Sequence, residues 1–505
     1  MSGVAKVFTG ALYRMRCAGV AAGSALSAFS GRAATSAVLA LLAISGLSGL
    51  SAAYAQPAAA PSPTAAPAGA PRGGAPVAID FARFFGACDT QFGSITDPAE
   101  ATGECGIITV LTNRFNAQNP DVRVRTQIIE HRPYYSQIGG RVINRDVPAV
   151  AILHGSTLND FVKRRLVEPL DAGFAEVGID PAGFTPQARA AVTVADRTYA
   201  LPLDTHSWLW HVNVNLLREA GLVGADGRPR IPTSEAELLE QARRFKAATG
   251  KPYFILLTVN DAPAFSRTLM TLVQQQGGSL FPRKPTEIDL ASDQVVRAVR
   301  LLSTLVAEGL ASRGHDYGAG IQAFVGGQGA VMINGTWLLG DLHKEAARAG
   351  RPLFNGYTAL PFPSIYGRPG AWADNHLLVM LKGGTRTEAE RKTALRFMRF
   401  IHDEGGSWAR TGQLPTSQAV IGSASFKALP LRPEIAPLAD FGAGLPQAVA
   451  RQSRVTTMLG DALAGVVVHG RELKSGLASA TRSINRMLER DNQFALGAGT
   501  PESGQ

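Results

Sequence analysis

The clearest hydrophobic periodicity lies in the second half of the chain. Val295, Val299, Leu302 and Val306 recur at three- and four-residue intervals and stop before Gly309. Leu395, Met398 and Ile401 do the same before Gly405 and Gly406. Such spacing places apolar side chains on one helical face, and glycine ends the helix. Ser234 and Glu237 predict a capping box ahead of Leu238, Ala242 and Phe245, with Gly250 closing that helix. Ile107 to Asn116 also reads as helix. Strand signals alternate with these segments. Val77 to Phe85 is one, and Val122, Val124 and Ile128 alternate with polar residues in a second. Ala149 to Leu153 is a short continuous apolar run, as in a buried parallel strand. Ala330 to Ile333 and His376 to Leu381 complete the set. Strands alternating with helices predict an α/β fold with mostly parallel sheets.

The N-terminus follows another pattern. Lys6, Arg14, Arg16 and Arg32 precede an apolar run from Ala37 to Leu50, and no Asp or Glu occurs before Asp80. Ala53-Tyr54-Ala55 then offers a small-x-small cleavage site. This predicts a signal peptide over 1–55, cut near Ala55–Gln56, and a periplasmic protein. The apolar run is too short to span a bilayer. Cys17 precedes it and no Cys follows it closely, so a lipid anchor is not expected. Residues 56–76 are rich in Ala, Pro and Gly and read as a disordered tether. Residues 493–505 read as a flexible tail. The length between suits two domains.

Charge narrows the partners. The formal net charge is +10, and loss of the four leader cations leaves +6. The basic residues are scattered, without a run of five, so nucleic acid is not an expected partner. Cys88 and Cys105 are the cysteines left after cleavage, and export permits a disulfide between them. The enclosed loop holds Gly93, Pro98 and Gly103, which suits a surface excursion.

Catalytic signatures are missing. The chain has no GxSxG, HExxH, Walker or strand-linked GxGxxG motif. Its nine His are dispersed, and His206 and His211 lie five apart, a poor spacing for one helical face. A metal site would have to be assembled from His154, His206 and His376, and no spacing calls for it. The expectation is a binding protein without metal or cofactor, rather than an enzyme.

An ordered series of segments carries a resemblance. Phe115 to Val122 (FNAQNPDV) is similar to a helix-to-strand passage written F-x-x-x-x-P-x-[IV]. Val147-Pro148-Ala149-Val150 through Leu166-Val167-Glu168-Pro169-Leu170 resembles P-D-V…G-x-L-x-P-L, with Ala149 and Arg165 in place of the usual Asp and Gly. Tyr199 to Pro202, Trp210 to Asn213 and Ala220 to Leu222 resemble G-x-P…Y-N…A-G-L, with Val212 in place of Tyr. Ile231-Pro232-Thr233 stands where P-x-T-W does, without the Trp. The most specific match is Phe324 to Trp337 (FVGGQGAVMINGTW), which resembles F-x-x-G-x-A-A-M-x-x-x-G-x-W. Leu360 to Pro363 and Gly412 to Thr416 match later landmarks. The chain thus resembles family 1 extracellular solute-binding proteins, the maltose-binding-protein-like group.

That resemblance implies two α/β lobes joined by crossing strands, of the periplasmic binding protein-like type II, with a ligand cleft between them. The expected lobes are 77–204 with 375–412, and 205–374 with 413–492. It implies a monomeric receptor of an ABC importer that takes a sugar, oligosaccharide or polyol to permease subunits. A phosphorylated polyol or polyamine receptor, a sensor-linked binding protein and an exported hydrolase or lyase are the alternatives.

Ligands of open α/β sheets sit beyond the carboxyl ends of strands, and pockets favour domain interfaces. These rules and the family pattern select Asp89, His154, Ser156, Asp204, His206, Trp337, Trp372, Asp374 and Asn375. Indole faces suit the apolar C–H patches of sugars. Carboxylates accept hydroxyl hydrogen bonds strongly. Each residue has an ordinary alternative: Trp337 as core, Asp204 and Asp374 as helix caps or loop residues. Trp208 and Trp210 are expected in the core.

Overall fold

The computed structural model of the protein describes residues 75–131 and 133–497. The expected signal peptide lies outside these residues, as do the tether before residue 75 and the tail after 497.

Alternating apolar residues open the fold as strand β1 (Val77–Arg83). It pairs parallel with β2 (Val122–Ile128) and β3 (Val150–His154). Helix α1 (Gly103–Gln118) connects β1 to β2, and α2 (Tyr134–Ile143) connects β2 to β3. Parallel neighbours need such crossovers. Helix α3 (Gly155–Lys163) starts directly after β3, and α4 (Pro186–Val192) precedes the long strand.

That strand, β4 (Leu201–Asn213), has thirteen residues, all buried. At roughly 3.3 Å per residue it extends about 43 Å, enough to serve two cores. Its first half pairs antiparallel with β8 (Ala373–Val379). Its second half pairs antiparallel with β6 (Val331–Gly335) on one side and β7 (Tyr357–Pro361) on the other. The short strand β5 (Phe254–Ile255) adds parallel to β6. The eight-stranded order is β2-β1-β3-β8-β4-β6-β5, with β7 beside β4. The expectation of mostly parallel sheets is corrected: pairing is parallel at the flanks and antiparallel at the centre. Strand β4 runs out and β8 runs back, so neither can be parallel to the other.

Two large cores flank this crossing. One gathers Phe81, Leu111, Leu153, Leu203, Leu378 and Met398. The other gathers Trp208, Trp210, Phe254, Leu269, Leu302 and Leu459. Helices α5 (Glu235–Thr249), α6 (Ala262–Gln274), α7 (Asp293–Ala307) and α9 (Gln452–Val467) lay apolar faces into the second core, and α8 (Glu388–Asp403) into the first. The mixed architecture thus sets two α/β cores on either side of the crossing strands.

The capping box expected at Ser234 is half formed. Ser234 accepts from Glu237 N at 3.2 Å, but the Glu237 carboxylate turns to the Thr233 N–H and hydroxyl, at 2.8 and 2.9 Å. A complete box stands instead at Thr387 and Glu390, ahead of α8. Cys88 and Cys105 are joined, with Cα atoms 5.9 Å apart. Among the described residues, no helix is long and apolar enough to cross a membrane.

Candidate functional site

Strands β3, β8 and β4 lie side by side, and their register aligns their chemistry. His376 sits opposite His154 on one neighbour and Asp204 on the other, and Asp374 sits opposite His206. Residues two apart on a strand share a face. Asp204 and His206 therefore face the same way, as do Asp374 and His376.

A cavity of about 600 Å3 opens here between the two cores. His154, Ser156, Trp372, Asp374 and Asn375 line it, as expected from the sequence. Asp374 caps α3: its Oδ1 accepts from Ser156 N at 3.0 Å and from Asn375 N at 2.8 Å. A helix N-terminus favours such a carboxylate. Gly155 fits this contact, because a Cβ there would lie 2.9 Å from Asp374 Oδ1. Asn375 is paired head-to-tail with Gln187 of α4, at 2.9 and 3.0 Å, and also donates to the Asp204 carbonyl.

Four expected ligand residues are not in the cavity lining. Asp89 is exposed at the start of a one-turn helix, Asp89–Phe92, beside the cysteine bridge. Asp204 is 0% exposed. Its carboxylate accepts from His376 Nδ1 at 2.8 Å, His206 Nδ1 at 3.2 Å and the Trp408 indole at 2.8 Å. His206 is 3% exposed and packs its ring between His376, Trp372 and Trp337. Trp337 stands behind His206 and donates its indole N–H to the Tyr317 hydroxyl at 2.8 Å.

The charges follow from this packing. Burial works against the Asp204 carboxylate, yet the His376 and His206 imidazoles hold it below the usual range. Burial also opposes charge on His376, but Asp204 and then Glu104 raise its pKa above the ordinary value. Burial, helped by His376 and His206, pushes His154 well below its usual value. His206 is lowered by burial and by His376, against the pull of Asp204.

Sequence reasoning missed Arg267, Gln187 and Tyr135, which line the same cavity. The Arg267 guanidinium lies 4.3 Å from the Trp372 ring centroid and 5.3 Å from that of Trp208. Such stacking is attractive when water is excluded. Arg267 is the sole charge in the thirteen residues of α6, and that was a readable signal. Gln187 and Tyr135 carry no comparable mark.

A family profile described as bacterial extracellular solute-binding protein matches residues 99–406, more than half of the chain. The chain belongs to this family. The binding protein is 22% identical over 253 residues to a lactose-binding protein of Rhizobium radiobacter. That match covers 48% of this chain, and the chain spans about half (55%) of that relative's length. Among solved structures, the sugar-binding protein MalE of Xanthomonas citri shares 17% identity, with a TM-score of 0.67 over 83% of this chain and 99% of that one. The GacH receptor of Streptomyces glaucescens, solved unliganded and with acarbose, shares 19% identity, with a TM-score of 0.68 over 82% and 99%. Members of the family bind solutes and are not enzymes, and they act outside the cytoplasm.

Proposed function

We propose that this binding protein is the receptor of an ABC importer and captures a carbohydrate or polyol between its lobes. The carrying observation is the wall where Trp372 stands beside Asp374, Asn375 and His154 over a cavity of about 600 Å3. An indole with nearby carboxylate and amide groups suits a solute that presents both C–H faces and hydroxyls. The names of the lactose-binding relative, MalE and the acarbose-bound GacH support the same class. The lobes are taken as 77–204 with 375–412, and 205–374 with 413–492. Export is through the leader before Gln56 into the periplasm, where Cys88 and Cys105 oxidise. Permease subunits are the membrane partner.

A solute touching both lobes binds the closed form better and shifts the population toward it. The test is thermal shift and X-ray scattering on the mature chain with neutral saccharides, polyols, amines and phosphorylated polyols. A neutral saccharide or polyol is expected to raise the melting temperature and reduce the radius of gyration. Trp372→Ala is expected to weaken that binding at least ~10-fold, about 1.4 kcal/mol. Hits confined to amines or phosphorylated polyols would replace the ligand class. Binding without compaction would remove the closure mechanism.

A further inference from the structure

We propose that His154, His206 and His376 form a site for a divalent first-row transition-metal ion at the floor of the cleft. One ring nitrogen from each of the three lies within 4.8 Å of the other two. The three residues come from adjacent strands, β3, β4 and β8, so the sheet itself holds them together. Their ring centroids are 4.4 to 5.8 Å apart.

The second layer of contacts orients the rings. His206 and His376 each direct Nδ1 at the one Asp204 carboxylate. An ionised carboxylate only accepts, so Nδ1 of both rings carries hydrogen, and Nε2 offers its lone pair to a metal once the ring is neutral. A carboxylate behind a ligating histidine is the usual device that sets the tautomer and strengthens the ligand. His154 Nδ1 lies 2.6 Å from the Tyr135 hydroxyl, which also accepts the His154 backbone N–H. Among the described residues, Nε2 of none of the three has a hydrogen-bond partner. A network serving structure alone would need the Nδ1 contacts and gain nothing from gathering three imidazoles on adjacent strands.

The donors select the ion. Three imidazoles suit zinc, nickel, cobalt or copper, whereas calcium and magnesium require oxygen. Metal–nitrogen bonds of about 2.1 Å place tetrahedral ligands roughly 3.4 Å apart, so small ring rotations complete the site. Three protein donors leave a fourth position unfilled. His154 lines the cavity, so the cluster adjoins the space a solute would occupy. Glu104, Asp204 and His376 form a second close group, but Asp204 is already committed to two imidazoles.

The experiment strips the mature chain with EDTA and titrates it with Zn2+ by calorimetry and with Co2+ by visible absorption. The expected result is one high-affinity equivalent, intense Co2+ d–d bands of a four-coordinate site and a melting temperature that rises with Zn2+. His154→Ala is expected to weaken binding at least 100-fold and Asp204→Asn 10- to 100-fold, while exposed His343→Ala leaves it unchanged. Zn2+ binding that survives His154→Ala, or none in the wild type, overturns the site. If His154→Ala does not fold, the wild-type Co2+ spectrum decides: weak octahedral bands overturn it. Saccharide binding indifferent to EDTA and Zn2+, with no metal bound, would leave the carbohydrate reading standing and remove this one.

Discussion

Gly335 ends β6 against an aromatic ring. A Cβ at this position would fall into the Trp337 indole, so the glycine of the Gly335-Thr336-Trp337 motif is there for close approach. Gly335→Ala forces the indole or the strand aside, and about 1–3 kcal/mol of stability is the expected loss by chemical denaturation. An unchanged midpoint would show that the ring moves freely. His211 is another buried residue with a readable consequence. Its Nε2 donates to the Gly335 carbonyl at 3.1 Å, and its Nδ1 accepts from the Tyr357 hydroxyl at 2.9 Å. Burial pushes its pKa down to about 4, against that backbone hydrogen bond. The unfolded chain takes up a proton near pH 6.5 that the folded one refuses until about 4. Stability therefore falls as pH drops through this window, by about 3 kcal/mol from this group. His211→Gln should flatten that part of the profile in unfolding titrations; an identical pH dependence would rule His211 out as its source. Among site residues, His154 could be placed at the cavity from the end of a strand, and Trp372 and Asp374 from the return crossover that the family pattern marks. The enclosure of Asp204 could not be read, because its sequence neighbourhood does not reveal that two imidazoles and an indole surround it.

The helices were legible as elements because their signals are local. The apolar spacing at Leu395, Met398 and Ile401 and the stop at Gly405 bracket α8, and its N-terminus is closed by Thr387 and Glu390. Thr387→Ala removes the acceptor for the Glu390 N–H and is expected to cost about 1 kcal/mol, with Thr387→Ser nearly neutral. Equal losses in both variants would point away from the hydroxyl as cap. The strand β4 shows the opposite case. Asp204, His206 and Ser207 give it the look of a half-solvated strand, yet every residue from Leu201 to Asn213 is buried. Both faces are covered because the strand runs between two cores, and no window of thirteen residues contains that information.

At the scale of the whole molecule, each core is built from distant stretches of chain. Leu203 packs in one core with Leu378, and Trp208 packs in the other with Trp372. The chain thus changes core within a few residues of Asp204 and again near Asp374, which is why the candidate site collects there. The Cys88–Cys105 bridge ties the loop after β1 to the start of α1, closing 17 residues of separation. Replacing both with serine should cost about 3 kcal/mol if loop entropy governs. Thiol titration of the denatured mature protein should find no free cysteine; two reactive thiols would remove the bridge.

The identity of helices α1, α5, α7 and α8 and of strands β1, β2, β3, β6 and β8, the cap at Ser234 and the order of family segments were determined by the sequence itself. Each depends on hydrogen bonds and side-chain spacings that span a few residues. The antiparallel centre of the sheet, the enclosure of Asp204, the Arg267–Trp372 stack and the meeting of His154, His206 and His376 were decided only by tertiary structure. The three imidazoles are separated by 52 and 170 positions in the chain. Only strand register, set by burying both faces of β4 and β8, brings them within reach of one another.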